Sequence, residues 1–524
     1  MKINRRLVAI VFATLALPGY RALVGQDVHS PADSSVNVSP NPPAKPNIIV
    51  VMADDLDLNS MNAALAAGYM PNVKRFLIDA GMTFQNFFAS DALCCPSRAT
   101  FFTGQYPHNH GVTDNAAPWD VVALKDANTL PVWLKRAGYR TGLIGKYLNR
   151  YGLEDMNKDG RVDAADAVYI PPGWDDWEVM YKGYTEYGYS LSVNGAIISY
   201  GQNASDYQTD VLRAKGCSFI KDSTTPFFLE VTPTAPHVEL TSANWPPASY
   251  ADLWKFDIRP APRHAGTVNL PLPQGPAFNE ADLSGKAWIN PVNIPRLTAA
   301  DIGNLQVQYN DRIASIRAID DLVVGLLQAV KNKGVWNNTI FVFTSDNGYL
   351  LGEHRLYGKE AVYEEAIRIP LYIRKLWETT AQVSDAYVTM NDMAPTFAEF
   401  GGVAPGLAVD GTSFSLLLTN PLAPWRLRLG VEHWDHTSPA GTFYIPEYHG
   451  VRASVYDIAN PNMLYVGYTQ GSVEVYDLQV DPYQMQNLQL DTSGTRVAQL
   501  QLLQAKATAL RGCSGPTCHD LEFH

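Results

Sequence analysis

The sequence lacks the motifs of two large enzyme classes. It contains no His-x-x-x-His or Cys-x-x-Cys pair, so a zinc hydrolase is not indicated. It contains no Gly-x-x-x-x-Gly-Lys-Ser/Thr loop either, so nucleotide-driven phosphoryl transfer has no support. The net charge of −12 argues against a surface that binds nucleic acid, and we expect no nucleic-acid partner. A buried site sets its own local field, so an anionic substrate is still compatible with this charge.

Cysteine is also scarce. Five cysteines, an odd number, occur in 524 residues. Cys513 and Cys518 enclose the turn-forming sequence Ser-Gly-Pro-Thr and could form a small disulfide in a tail over residues 513–524. Cys217 is expected to be either a buried apolar residue or a disulfide partner of Cys95.

Long apolar runs are limited to the first residues. Leu7–Leu17 is too short to span a bilayer and follows a basic start. It predicts a signal peptide over residues 1–25, and hence a secreted or periplasmic protein with no stable membrane span; an uncleaved anchor is the alternative. Residues 26–45 are rich in Pro and Ser and predict a flexible lead-in. Asn-x-Ser/Thr sequons, which would make a glycoprotein only in a glycosylating source, begin at Asn37, Asn203 and Asn337.

Apolar stretches alternate with helical patterns through residues 46–425. Strands are predicted at 47–52, 139–146, 226–231, 339–344 and 369–373, and helices at 71–80, 128–137, 300–333 and from Asp392 onwards. This alternation predicts an α/β catalytic domain with a large, mainly parallel sheet sandwiched by helices. Residues 240–298 have little periodicity and predict a long surface excursion.

The pattern changes after residue 425. Short strands are predicted at 464–468 and 472–476, followed by a helix at about 493–510. These elements predict a smaller C-terminal α+β subdomain over residues 426–512.

Polar side chains follow two of the predicted strands. Asp54 and Asp55 follow the first strand, and Asp346 and Asn347 follow the fourth. Ligands bind beyond the carboxyl ends of strands in such folds. Three carboxylates and an amide oxygen suit a hard cation such as Ca²⁺ or Mg²⁺. Unrelated helix caps and turn acids are the alternative, which two pairs at equivalent strand ends make improbable.

A second cluster combines a cysteine turn with basic residues. Cys94-Cys95-Pro96-Ser97-Arg98 is compatible with a thiol nucleophile, a metal thiolate, a disulfide or a chemically converted cysteine. Basic residues on turns or beyond strands are Arg98, Lys146, His237 and Lys359. Together they would surround a metal with positive charge and suit an anionic ester.

The cysteine turn resembles the Cys-x-Pro-Ser-Arg signature of the type I sulfatases. Further segments that look like the family are 47–55, 103–107, 344–348, 358–359, 363–370, 476–478, 481–482 and 487–488. The resemblance covers roughly residues 46–512, and the combined motifs are highly specific. Residues 145–149 and 169–174, with the final Cys-Ser-Gly-Pro-Thr-Cys, point to the N-acetylglucosamine-6-sulfatase and arylsulfatase branch.

The resemblance implies an alkaline-phosphatase-like fold and a formylglycine-dependent mechanism. In this family a formylglycine-generating enzyme oxidises the first signature cysteine, here Cys94. The aldehyde hydrate attacks sulfur and later expels sulfate. The implied ligands of a Ca²⁺ or Mg²⁺ ion are Asp54, Asp55, Cys94, Asp346 and Asn347. The implied catalytic groups are Cys94, Arg98, Lys146, His237 and Lys359. Arg98 holds the hydrate and the carboxylates, and the other three basic residues bind the sulfate. His237 or Lys359 protonates the leaving alkoxide.

One position departs from the family. Many sulfatases carry Gly-Lys-x-His, whose His acts as base for sulfate elimination, but Leu148 stands here and Asn149 follows. His108 or His110 could contribute, so the base stays open. His433 and His436 could line the substrate mouth or be ordinary loop histidines.

A separate acidic loop follows the spacing of an EF-hand calcium loop. The residues at its ligand positions are Asp155, Asn157, Asp159, Arg161, Asp163 and Asp166. Gly160 stands at the sixth position, where such loops turn sharply. The pattern predicts a second, structural Ca²⁺ in an insertion over residues 153–168; a solvated acidic insertion is the alternative.

The sequence therefore favours a sulfuric ester hydrolase that acts on a sulfated small molecule or sulfated sugar. A phosphonate or phosphate ester hydrolase of the alkaline-phosphatase superfamily is the rival enzyme class. A sulfosugar-binding relative without activity is the non-enzymatic alternative, but its mark would be a missing nucleophile or metal ligand, and none is missing.

Overall fold

The computed structural model describes residues 45–181, 184–224, 226–240, 255–436, 445–490 and 493–524. The predicted signal peptide and, except for Lys45, the predicted lead-in lie outside these residues, as does 241–254 of the predicted excursion. Across the described ranges, no helix is both long and apolar enough for a membrane crossing.

A ten-stranded mixed sheet forms the centre of the catalytic part. The strands up to residue 389 are β1 (Asn47–Ala53), β2 (Met82–Phe88), β3 (Arg140–Gly145), β4 (Asp176–Tyr181), β5 (Ser190–Val193), β6 (Ala196–Ser199), β7 (Phe227–Thr232), β8 (Thr339–Ser345), β9 (Leu350–Leu351), β10 (Tyr357–Gly358), β11 (Arg368–Lys375) and β12 (Gln382–Thr389). The strand order in the sheet is β12-β2-β11-β8-β1-β7-β3-β4-β5-β6, and β9 and β10 pair separately. Its central strands β8, β1, β7, β3 and β4 run parallel, whereas β11 is antiparallel to both β8 and β2. The predicted α/β class with a mainly parallel sheet is confirmed.

Helices cover both faces of this sheet. The helices are α1 (Leu58–Ala66), α2 (Pro71–Val73), α3 (Cys94–Thr103), α4 (Pro107–His110), α5 (Leu130–Arg136), α6 (Gln208–Asp222), α7 (Ala299–Lys333), α8 (Glu364–Ile367), α9 (Met393–Phe400), α10 (Gly494–Arg511) and α11 (Pro516–Phe523). Successive side chains of a strand point to opposite faces. In β1, Ile49 packs in one apolar cluster with Ile316 of α7, and Ile48 packs in the other with Trp133 of α5. All seven residues of β1 are buried, as its continuous apolar run predicts.

Two predicted elements differ from the structure. The helix predicted at 71–80 is α2 followed by a π-helix over Lys74–Ile78, in which Asp79 N donates to Lys74 O five residues earlier at 2.8 Å. The described part of the predicted surface excursion, 255–298, contains no helix or strand, but it is not confined to the surface. Its apolar side chains, such as Phe256 and Ile289, are buried in the cluster around α7.

The C-terminal residues form a smaller α+β subdomain, as predicted. Its strands are β13 (Arg428–His433), β14 (Tyr448–Ala453), β15 (Met463–Tyr468) and β16 (Val473–Asp477). They pair in chain order as an antiparallel meander, against which Leu503 and Leu510 of α10 are buried. Cys513 and Cys518 form a disulfide, whereas Cys95 and Cys217 are free thiols.

The C-terminal helix α11 is held to the catalytic part by a buried ion cluster. Arg426 is fully buried, and its Nη2 lies 2.6 Å from Asp392 Oδ1 and 3.3 Å from Glu522 Oε2. Tyr106 donates its hydroxyl to Glu522 Oε1 at 2.5 Å. Residues after 512 therefore belong to the packed structure and are more than a tail.

We expect Arg426→Met to destabilise the protein strongly. The change leaves the carboxylates of Asp392 and Glu522 buried without their cation, which costs about 3–5 kcal/mol in comparable cases. Urea unfolding followed by intrinsic fluorescence measures it. Arg511→Met is the matched control, because Arg511 is half exposed and its pair with Glu447 is a surface contact. Equal midpoints for the two variants would contradict the role of the Arg426 cluster.

Candidate active site

The candidate site lies at the carboxyl ends of β1 and β8, which are neighbours in the sheet. Asp54 and Asp55 follow β1, and Asp346 and Asn347 follow β8, so parallel pairing brings the four together. Asp55 N donates to Asp346 Oδ1 at 3.0 Å, and Asn347 Nδ2 donates to Asp55 Oδ1 at 2.8 Å. All four residues are at most 1% exposed.

Cys94 is the first residue of α3 and is fully buried beside these carboxylates. Its Sγ lies 3.5 Å from Asp54 Oδ1 and 3.8 Å from Asp55 Oδ1. Pro96 fits the first turn, where its missing N–H has no helical partner to lose. Position 94 therefore places its side chain at the positive end of a helix dipole, next to the carboxylates.

Arg98 and Ser97 fix the loop after β8. Arg98 Nε donates to Asp346 Oδ2 at 2.8 Å, and its Nη1 donates to Lys146 O at 3.0 Å. Ser97 donates its hydroxyl to Asp346 O at 2.5 Å. The signature Pro-Ser-Arg therefore ties α3 to the strand end that carries Asp346.

The other basic residues also reach the carboxylates. Lys146 Nζ lies 2.7 Å from Asp54 Oδ2 and 2.9 Å from its Oδ1. Lys359 Nζ lies 2.6 Å from Asp55 Oδ1 and 2.6 Å from Cys94 Sγ. His237 Nε2 lies 3.5 Å from Asp55 Oδ2. The structure thus brings together every predicted residue of the main site.

The charges of the site are set by burial and by these pairs. Burial alone would raise the pKa of Asp54, but the charges of Lys146 and Arg98 hold it well below its ordinary value. Burial opposes charge on Lys359, yet Asp55 and Cys94 raise the pKa of its ammonium. Burial raises the pKa of the Cys94 thiol, against the opposing effect of both lysines. A thiolate nucleophile is therefore not favoured at position 94.

The donor set fits a hard cation. Asp55 Oδ2 and Asn347 Oδ1 are buried and have no hydrogen-bond partner in the described part of the protein. His237 Nδ1 lies 2.6 Å from Val238 O and must donate to it, so Nε2 faces the Asp55 carboxylate as a second acceptor in the neutral ring. Asp54, Asp55, Cys94 and His237 place potential ligand atoms within 4.8 Å of one another. A cation bound here would satisfy the unpartnered oxygens of Asp55 and Asn347.

Two further residues that shape the site are not predicted from the sequence. Arg312 of α7 donates to Asp55 O and, at 3.2 Å, to Pro236 O. It therefore holds the loop that contains Asp55 and the loop that contains His237. The ring of Tyr184 lies 4.6 Å from Lys146 Nζ. Both residues come from segments without a local motif, so no sequence signal marks them.

Gly348, the residue after Asn347, has a structural role. Its N–H donates to Ala366 O at 2.8 Å, and a Cβ at this position would lie 2.1 Å from Glu365 O. The glycine is therefore required by the close approach of α8, which closes one side of the site.

The other histidines have different partners. His108 bonds Glu432 and Cys513 O, and His110 bonds Thr100 and accepts from Val112 N. His433 is buried 3.6 Å from Asp91, and His436 stacks on Trp119 with ring centroids 3.9 Å apart. Leu148, at the position where many sulfatases carry His, is buried in an apolar cluster and supplies no base.

The predicted calcium loop does not form a comparable cluster among the described residues. Asp155 accepts the N–H groups of Asp159 and Gly160, at 3.0 and 2.9 Å. Asp166 is buried and accepts those of Met156 and Asp163, both at 2.7 Å. The second Ca²⁺ stays a prediction.

Known proteins are similar to this chain in sequence. The sulfatase family model matches residues 46–403, and the N-sulphoglucosamine sulphohydrolase C-terminal model matches 352–510. N-acetylglucosamine-6-sulfatase of Capra hircus is 30% identical over 90% of this chain and 85% of its own length. Arylsulfatase of Volvox carteri is 28% identical over 96% of this chain and 78% of its own length.

Solved structures share the fold. One, of a protein in complex with its substrate D-glucosamine-2-N,6-O-disulfate, has a TM-score of 0.67 at 24% identity and covers 91% of this chain and 98% of that chain. A phosphonate monoester hydrolase of Agrobacterium radiobacter has a TM-score of 0.65 at 20% identity and covers 89% of this chain and 95% of that chain. At these identities the likeness shows the alkaline-phosphatase-like fold alone.

The family match extends over the catalytic sheet and its metal loops, and the chain belongs to the sulfatase family. It is a sulfatase, a sulfuric ester hydrolase, with a candidate metal site at Asp54, Asp55, Cys94 and His237.

We expect Asn347→Leu to weaken cation binding by about 10–100-fold, because it removes a buried oxygen from the site. Isothermal titration of Ca²⁺ and Mg²⁺ into chelator-treated protein measures the affinity. Asn347→Asp is the control, since it keeps an oxygen at the same place. Unchanged affinity in the leucine variant would exclude Asn347 as a ligand.

Proposed function

We propose that this sulfatase hydrolyses sulfate esters of sugars, using a formylglycine formed from Cys94 and a Ca²⁺ or Mg²⁺ ion. The observation that carries the proposal is the contact of Lys359 with both Cys94 Sγ and Asp55 Oδ1, each at 2.6 Å. In this contact a cation suited to a sulfate oxygen touches both residue 94 and a carboxylate of the candidate metal site.

The carboxylates and Asn347 would hold the ion. Asp54, Asp55, Asp346 and Asn347 supply the oxygens, with the side chain of residue 94 adjacent. When bound, the ion would polarise a sulfate oxygen and acidify the neighbouring hydroxyl. A converted residue 94 supplies the aldehyde hydrate whose hydroxyl accepts the sulfuryl group, and formation by a formylglycine-generating enzyme follows from the family signature.

Three basic residues would bind the sulfate and move protons. Lys146 and Lys359 keep their ammonium charges, because the neighbouring carboxylates raise their pKa values above the ordinary range despite burial. Each can attract a sulfate oxygen, and Lys359 lies close enough to residue 94 to donate a proton on that side. His237 presents Nε2 to the site because Nδ1 is bonded to Val238 O, and it would donate to a sulfate oxygen or to the leaving alkoxide when Nε2 is protonated. Arg98, bound to Asp346, orients the carboxylates.

A sugar substrate is favoured by the relatives. N-acetylglucosamine-6-sulfatases from goat and human are each 30% identical over 90% of this chain.

The fold is shared with a phosphonate monoester hydrolase, so the ester class must be tested directly. We expect the mature protein to hydrolyse an aryl sulfate faster than the corresponding aryl phosphate or phenylphosphonate ester, and to release sulfate from N-acetylglucosamine-6-sulfate. Lys359→Ala should lower kcat/KM for the sulfate ester by about 10²–10⁴-fold, because it removes the cation nearest residue 94.

Two results would overturn this proposal. Faster turnover of the phosphorus ester would assign the chain to the rival class. Mass spectrometry of the peptide that contains residue 94, from protein of the natural host, should show formylglycine; an unmodified thiol in active protein would exclude the mechanism. Lys74→Ala is the matched control, because Lys74 pairs with Asp79 at the exposed surface.

We also propose that the loop of residues 155–166 binds a structural Ca²⁺. The support is the ligand spacing together with Gly160, whose φ of +89° forms the turn at the sixth position. The carboxylates of Asp155 and Asp159 already accept N–H groups within the loop, so the backbone is folded around them.

We expect isothermal titration to show two Ca²⁺ ions for each wild-type chain and one for the Asp155→Asn/Asp159→Asn variant, with sulfatase activity unchanged. Asp79→Asn, at an exposed surface pair, is the control and should keep both ions. The same stoichiometry in all three proteins would leave the loop as a solvated insertion.

A further inference from the structure

A polar cavity of about 400 Å³, separate from the active site, lies where β11 and β12 meet the C-terminal subdomain. No residue of the active site lines it. Its volume falls within the range of about 300–1,000 Å³ that small-molecule sites occupy. Its lining includes Asn59, Glu365, Arg368, Asp385, Asn462 and Tyr483.

The inner wall of the cavity is rigid. Arg452 is 2% exposed, and it donates from Nε to Glu364 Oε1 at 2.8 Å and from Nη2 to Asn462 Oδ1 at 2.9 Å. Tyr387 donates its hydroxyl to the same Asn462 oxygen at 3.0 Å. Because Asn462 Oδ1 accepts both of these hydrogen bonds, the orientation of its amide is set.

The outer wall combines hydrogen-bonding groups with an apolar rim. Asn59 and Asp385 are exposed and present an amide and a carboxylate. Tyr483 is 44% exposed and Val455 is 51% exposed, so an aromatic ring and an aliphatic group border the opening. A pyranose ring presents hydroxyls at its edge and C–H groups on its faces, which match such a mixture.

The charges of the cavity are balanced. Arg452 and Arg368 both pair with Glu364, at 2.8 and 3.6 Å, and Asp385 adds a second carboxylate to the lining, so two cations are matched by two anions. Burial, followed by the charge of Glu353, raises the pKa of Glu365 to about 8, which makes this side chain a hydrogen-bond donor at neutral pH. An uncharged ligand with hydroxyl groups fits this composition better than an ion.

We propose that this cavity is a second binding site, for an uncharged pyranose residue of the glycan that carries the sulfate ester. The identity of the glycan rests on the proposed function. The cavity and the active site share α8: the carbonyls of Glu365 and Ala366 accept the N–H groups of Tyr349 and Gly348, which follow Asn347. A sugar in the cavity therefore binds to a wall of the catalytic centre without touching the sulfate.

Ligand-observed NMR and isothermal titration with methyl β-glucoside and N-acetylglucosamine test the site on the full chain. We expect saturable binding in the millimolar range, weakened by about tenfold or more in Asn59→Leu and in Tyr483→Ala. Tyr456→Ala, another exposed tyrosine but outside the cavity, should bind as the wild type does. Turnover of a small aryl sulfate should be unchanged in all three variants.

The outcomes separate the two proposals. Absence of saturable sugar binding, equal binding by all variants, or displacement of the sugar by inorganic sulfate would overturn the cavity site while leaving sulfate ester hydrolysis intact. Sugar binding that depends on Asn59 and Tyr483, in a protein that hydrolyses no sulfate ester, would overturn the proposed function and leave the cavity as a sugar site.

Discussion

The structure depends on compensation of buried charge at the ends of β1 and β8. Asp54, Asp55 and Asp346 are almost completely excluded from water, and isolated carboxylates there would be strongly unfavourable. Each is held by a cation from a different part of the chain: Lys146 after β3, Lys359 after β10, and Arg98 in α3. Two of these cations, Lys146 and Lys359, are also the ones that we propose for sulfate binding. The proposed substrate contacts would therefore use charges that already stabilise the fold.

The main α/β elements could be predicted because their signals are local. β1, β7 and β8 are continuous apolar runs, and α7 combines a 3.6-residue period with a capping box between Thr298 and Asp301. β2 and β12 were missed, because their sequences are interrupted by polar residues and β12 is an edge strand with exposed Val383. The antiparallel direction of β11 depends on pairing with distant strands, which no local pattern encodes.

Part of the site could be predicted, because the carboxyl ends of neighbouring parallel strands lie side by side. Acidic and amide residues after neighbouring parallel strands must meet, and the Cys-x-Pro-Ser-Arg signature marked the turn beside them. Arg312 and Tyr184 could not be found this way, since each reaches the site through long-range packing. Leu148 is half predictable. Its departure from the family pattern is visible in the sequence, but the apolar cluster that encloses its side chain forms only in the fold.

The docking of α11 has a consequence for how this enzyme can be engineered. Asp410 accepts the N–H groups of Gly515 and Tyr106, at 2.6 and 2.7 Å, so the disulfide-closed turn is fastened next to α4. A deletion after residue 512 would open the Arg426 pocket to water and remove Glu522, which accepts the Tyr106 hydroxyl. Affinity tags and fusion partners are therefore better joined through a spacer that leaves α11 seated than placed on a shortened chain.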